Sequence, residues 1–212
     1  MKAVLNAVSI PLRETPFAKG GEGMLYETGE PDFVAKVYRQ PSREKAEKLS
    51  WMIQYPPHGP GDLGTSSGLA WPLAFVVDGR GCFRGYLMPR VGEATILHNL
   101  CVPRARALMG ESISWRYLHA AAANYVRSVA RLHERGYVLG DIRTDNAMAD
   151  SRARITLIDL DSIQVSTPRG VFTCPVVSEG FTPPELVRKT DFRTLVRTPI
   201  HDLFGVGVVV YY

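Results

Sequence analysis

VLGDIRTDNAMADSRARITLIDLDS, running from Val138 to Ser162, is the stretch that decides the fold. It holds five aspartates and one asparagine in 25 residues, set between apolar runs that read as buried strand. A surface loop tolerates acids anywhere. Acids that bracket short strands in order are different, because an acid at a strand end points into a cleft. Asp141 follows a short apolar segment, with Arg143 two residues on and Asn146 five residues on. A hairpin then leads into ITLID, which places Asp159 at the end of a buried strand. An Asp-x-[Lys/Arg]-x-x-Asn pattern, followed by a turn and an apolar strand ending in Asp, is specific in combination.

Upstream of this stretch the chain reads as helix. Ser112 to Arg135 carries Ile113, Tyr117, Leu118, Ala121, Ala122, Tyr125, Val129 and Leu132 mostly on one face, with Gly136 where a stop belongs. Glu93 to Met109 is a second helix by the same reading. The first third is strand-like instead. Val4 to Leu12 alternates loosely, FAKGGEGMLYE is a glycine-rich turn between extended segments, and FVAKVYR is a short apolar strand with Lys36 in its middle. PSREKAEKLSWMIQY spaces Ala46, Leu49, Met52 and Ile53 as a helix. Residues 56–72 form a loop, and Asp78-Gly79 turns a hairpin between two apolar runs. Downstream lie a Pro- and Thr-rich loop over 166–184 and a last helix opening near His201. The expected organisation is α+β and two-lobed: a strand-rich lobe over 1–90 and a helical one over 91–212.

Composition narrows the classes. The 212 residues are 45% hydrophobic and 22% charged, as in an ordinary globular protein. No run approaches a membrane span, and the apolar start is too short for a signal peptide. The three cysteines, Cys82, Cys101 and Cys174, are unpaired in pattern and read as reduced thiols of a cytosolic protein. A net charge of +4 with bases and acids interleaved argues against a nucleic-acid surface. Trp51, Trp71 and Trp115 read as packing residues, and His133 as an ordinary helix residue. The apolar run LFGVGVVVYY carries no stop signal, so helices or an accessory domain are expected downstream.

Two features carry chemistry besides the acids. Glycines between strands let backbone amides approach phosphate oxygens. A lysine in an apolar strand needs a partner, and the following helix offers Glu44 and Glu47; alternatively Lys36 lies on the solvent face of an edge strand. Phosphoryl transfer asks the protein to position a nucleophile, hold metal ions on phosphates and neutralise charge. Asn146 and Asp159 offer the hard oxygens Mg²⁺ takes. Asp141 can orient or deprotonate a hydroxyl, and Arg143 can meet a phosphate.

On these residues the chain resembles a eukaryotic-type Ser/Thr protein kinase domain. GGEGMLYE, KLSWM, the LIDLDS run and FTPPEL are most similar to bacterial kinase-like proteins, some of which carry a downstream helix-hairpin-helix or other accessory domain. The resemblance implies a phosphate-covering loop at Gly20, Gly21 and Gly23, with Ala18 where the first glycine usually stands. It implies that Lys36 binds the ATP phosphates, with Glu47 as its helix partner and Glu44 as competitor. Backbone near Leu87, Met88 and Pro89 would hold adenine. Asp141 would be the catalytic acid, Asn146 and Asp159 the Mg²⁺ ligands, and Asp202 a brace for the catalytic loop. ATP and a protein substrate are the implied partners.

The departures matter as much. Leu139-Gly140 replaces the usual His-Arg, which argues against control through a phosphate read by that arginine. Leu160-Asp161 replaces Phe-Gly, and Arg143 replaces a lysine. Thr167, Thr173, Ser178 and Thr182 are candidate phosphorylation sites. Three readings follow: an active Ser/Thr kinase, a pseudokinase scaffold, and a small-molecule kinase, against which the PPEL motif argues.

Overall fold

The computed structural model describes residues 1–5, 8–57, 68–109 and 113–212. The chain divides into two compact units, Met1–Arg90 and Val91–Tyr212. Of the loop expected at 56–72, residues 58–67 lie outside the described residues, as does the expected start of the long helix at Ser112.

The first unit is a closed barrel. Its strands are β1 (Lys2–Leu5), β2 (Val8–Lys19), β3 (Gly23–Thr28), β4 (Phe33–Tyr38), β5 (Ala74–Val77) and β6 (Phe83–Pro89). They run β1-β2-β3-β4-β6-β5, with β1 closing on β5. Closure leaves no edge, so β4 lies between β3 and β6 and is buried along most of its length. The edge-strand alternative for Lys36 therefore fails: only 8% of the residue is exposed. Inward-facing Ile10, Tyr26, Val37, Val76 and Leu87 fill the core. The Asp78 side chain closes the β5–β6 hairpin by accepting the Arg80 and Cys82 N–H groups, and these bonds hold its carboxyl below the ordinary range. Helix α1 (Arg43–Gln54) starts where Ser42 caps the Lys45 N–H. It buries Leu49 and Met52, and the fully buried Trp71 donates to the Met52 carbonyl.

The second unit corrects two expectations. Residues 93–109 are not one helix. Thr95 and Ile96 are β-branched and pair as β7 (Ala94–Ile96) with β9 (Ala147–Asp150). Helix α2 (Leu97–Cys101) then ends before Pro103, which opens α3 (Pro103–Leu108) from its first position. The loop over 166–184 is not wholly irregular either: β11 (Gln164–Thr167) and β12 (Gly170–Phe172) pair, with Thr167 and Gly170 bonded across the turn. Helix α4 (Trp115–Glu134) is capped by Ser114, buries Tyr125, Val129 and Leu132, and stops at Gly136 with φ +77°. Trp115, expected inside, is 77% exposed. Strands β8 (Tyr137–Val138) and β10 (Ile155–Leu157) frame the acidic stretch, β8 on β11 and β10 on β9. Helices α5 (Pro184–Val187) and α6 (Pro199–Tyr211) complete the unit; α6 leaves Leu203, Val210 and Tyr211 exposed. Among the described residues no helix is long and apolar enough to cross a membrane.

Candidate active site

The acidic stretch folds into a bonded loop. After β8 the chain turns at Gly140, and a short helical turn at Thr144–Asn146 carries it into β9. Asn146 Nδ2 donates to both the carbonyl and the carboxylate Oδ2 of Asp141, each at 3.2 Å. The Ile158 N–H reaches the Asn146 carbonyl at 2.9 Å, so Asn146 and the approach to Asp159 are tied backbone to backbone. Asp159 is exposed and sits in the left-handed region at φ 59°, ψ 39°. A non-glycine residue there is strained, a conformation that persists where surrounding structure enforces it.

Three further side chains join this loop. Ser178 Oγ donates to Asp141 Oδ1 at 2.6 Å across 37 residues of sequence. Asp202, buried at the start of α6, accepts the Leu139 N–H at 2.7 Å, the Gly140 N–H at 2.8 Å and His133 Nε2 at 2.9 Å. Arg143 donates to Asp145 at 2.7 Å. That bond, with the fields of Asp141 and Asp159, raises its pKa against the opposing effect of burial. A cavity of about 780 Å³ opens beside Ser178 and Arg143, bounded also by His98, Val102, Asp145 and Phe181.

In the first unit the glycine turn closes on itself, the Gly20 N–H donating to the Gly23 carbonyl at 2.9 Å. Gly23 is sterically required, because a Cβ there would lie 2.5 Å from the Val37 carbonyl oxygen; at Gly21 nothing comes within 4 Å. Lys36 stands in register with Leu25 and Tyr86. Glu47 has a different partner from the expected one: it is bonded to Arg43 at 2.7 Å, with its side chain 52% exposed. Leu87 and Met88 are buried in β6; the Leu87 carbonyl already accepts the Leu73 N–H at 2.8 Å, and Pro89 has no N–H to give.

With these geometries in place, the relatives are informative. The chain is 34% identical over 197 residues to a protein named Protein kinase YegI from Escherichia coli O157:H7, and equally to its namesake in a second Escherichia coli strain. The matches cover 92% of this chain but 30% of each relative, so the chain spans less than a third of the curated proteins it matches. The structure of ROP2 from Toxoplasma gondii, described as a virulence factor with a protein-kinase fold and no enzymatic activity, matches with a TM-score of 0.61 at 15% identity. It covers 99% of this chain and 66% of its own. The chain has a protein-kinase-like fold. No protein-family model matches it.

Several residues of this cluster were not legible in the sequence. His133 reads as an ordinary helix residue but bonds Asp202, 69 residues away. Ser178 reads as one loop hydroxyl among four, yet it alone is bonded to Asp141. Arg197 and Gln164 carry no sequence signal, and both are buried beside the same loop. Pairings over such separations leave no local pattern. Asp202 differs, because its place one turn into a helix was visible from the HDLFGVG motif.

Proposed function

We propose that this chain transfers the γ-phosphoryl group of ATP, with Mg²⁺, to Ser or Thr hydroxyls of a protein substrate. The observation that carries the reading is the Asp141 cluster: one carboxylate held by Asn146 on one oxygen and by a serine hydroxyl on the other. The Ser178 hydroxyl shows that this carboxylate accepts from an alcohol at 2.6 Å, the contact a substrate hydroxyl needs.

In this reading Asp141 orients the substrate hydroxyl and takes its proton as the oxygen attacks the γ-phosphorus. The bond from that phosphorus to the β,γ-bridging oxygen breaks, and ADP leaves with the electron pair. Among the described residues no group of three His, Cys, Asp or Glu side chains could hold a metal ion unaided. That fits Mg²⁺, which binds through one or two protein oxygens together with phosphates and water. Asn146 Oδ1 and the Asp159 carboxylate supply hard oxygens for it. When bound, the ion neutralises phosphate charge. Lys36 and the turn at Gly20, Gly21 and Gly23 bind phosphates, and Met88 is the adenine-side residue of β6. Arg143, beside Asp145, neutralises charge on the transferred group.

A pseudokinase scaffold is the second reading. It is favoured by Leu139-Gly140, by Leu160-Asp161, and by Glu47 being engaged to Arg43. The inactivity described for ROP2 shows that the fold by itself guarantees no chemistry. The test is transfer of labelled γ-phosphate to a protein acceptor with Mg²⁺, beside Asp141→Asn and Asp159→Asn. Labelling lost in both variants supports catalysis. A folded wild-type chain that binds ATP and labels nothing leaves the scaffold reading.

A further inference from the structure

Arg197 lies five residues before Asp202 and is 3% exposed, among the most buried charged residues described. Its backbone is held on both sides by one side chain. Gln164, itself buried on β11, accepts the Arg197 N–H at 2.7 Å and donates to the Arg197 carbonyl at 2.8 Å. So fixed, the side chain stacks on Phe192 at 5.0 Å, and its Nη2 donates to the Val176 carbonyl at 2.7 Å. Val176 stands two residues before Ser178, the serine bonded to Asp141.

The other end of the guanidinium meets the loop beside Asp141. A Cβ on Gly140 would fall 2.2 Å from Arg197 Nη1 and 2.8 Å from the Cys174 Cβ. Gly140 also has φ +73°, which disfavours any side chain. Position 140 is thus bare where Arg197 and Cys174 close on it. Arg197 and Asp202 border the same cavity of about 10 Å³, so the buried cation lies near the carboxylate that braces Leu139 and Gly140.

Packing alone does not account for an arginine here. Among the described residues its Nε and Nη1 have no hydrogen-bond partner, and a buried guanidinium with unmet donors is worse for stability than a well-packed apolar side chain. We infer that Arg197 is a positioning residue, a buried guanidinium that ties the segment delivering Ser178 to the loop carrying Asp141. The tie is permanent and internal: it spans β11, residues 174–176 and Gly140 without needing a phosphate on the segment. Its effect on catalysis rests on the phosphoryl-transfer reading above, whereas the tie itself does not.

Hydrogen exchange at the 176–179 amides, measured on the whole chain without nucleotide, reads the tie directly. R197M removes every donor and keeps an unbranched apolar stem. It is expected to retain a cooperative thermal transition, to speed exchange across 176–179 at least roughly tenfold, and to lower kcat by roughly 10- to 100-fold with KM for ATP within about twofold. R197K, which keeps a charged donor, restores part of both. A folded R197M with wild-type exchange overturns the proposal, and so does faster exchange with an unchanged kcat. Should R197M not fold, R197K and F192L decide it, since wild-type exchange in both overturns the tie. If the wild-type chain transfers no phosphate while R197M still exchanges faster, the phosphoryl-transfer reading fails and the tie stands.

Discussion

Asp141 and Glu47, the carboxylate expected to pair with Lys36, are held in opposite ways. Asp141 is reached by Asn146 from its own loop and by Ser178 from 37 residues away, and the loop is braced by Asp202 from further still. The glycine turn is closed by its own Gly20–Gly23 bond and held by Arg39, which donates to the Gly20 carbonyl at 3.2 Å, whereas Glu47 is bonded to Arg43 one helical turn off. Long-range bonds fix a side chain against the rest of its unit, whereas local ones let it move with its own segment. On the phosphoryl-transfer reading, the geometry for handling a hydroxyl is therefore set in advance, as effective catalysis requires. Glu47 has more left to arrange.

Breaking the brace should give the largest effect. Asp202→Asn keeps the shape but replaces one accepting oxygen by an NH₂ that faces donors. With three hydrogen bonds to this buried carboxylate, the expected loss is about 3 kcal/mol. Urea unfolding measures it, and a variant as stable as wild type would remove Asp202 as the organiser of the loop.

On the other side of the comparison, Gly23→Ala forces a Cβ to within 2.5 Å of the Val37 carbonyl oxygen, a backbone atom that cannot swing away. The expected cost is about 2 kcal/mol, accompanied by weaker ATP binding. Gly21→Ala meets nothing within 4 Å and should stay within about 0.5 kcal/mol of wild type. Equal effects at the two positions would show that the turn does not hold its described shape in solution.

Ser178→Ala should act on rate more than on stability. It removes one charge-assisted hydrogen bond to Asp141, and a roughly tenfold fall in kcat is expected, with Ser178→Thr retaining most of the activity. Unchanged kcat in the alanine variant would mean that Asn146 alone orients the carboxylate.

The order Asp141, Asn146, Asp159 was legible because each falls at a fixed distance from a strand or turn that the apolar pattern reveals. Lys36 was legible as anomalous, but not as buried, since sequence cannot show that β1 closes on β5 and abolishes the edge. The helix expected over 93–109 failed for a related reason: Thr95 and Ile96 take strand geometry from β9, 50 residues downstream. Arg197 stayed invisible because its meaning depends on Gln164, Val176 and Gly140, from three separate segments. Sequence reports periodicity well and convergence poorly.

Glu47 gives the smallest stability change and the sharpest division between the two function readings. Its bond to Arg43 joins two exposed groups one turn apart, a pair contributing about 0.5 kcal/mol or less. Glu47→Gln should therefore leave urea unfolding nearly unchanged. If the carboxylate leaves Arg43 to pair with Lys36 when nucleotide binds, the same substitution should still lower phosphoryl transfer by roughly 100-fold, as expected when a buried ammonium loses its counter-ion. Arg43→Gln separates the cases further, because it frees Glu47 and should leave transfer intact or raise it. Transfer indifferent to both substitutions would mean that Lys36 is served by another group, and that α1 contributes packing rather than charge.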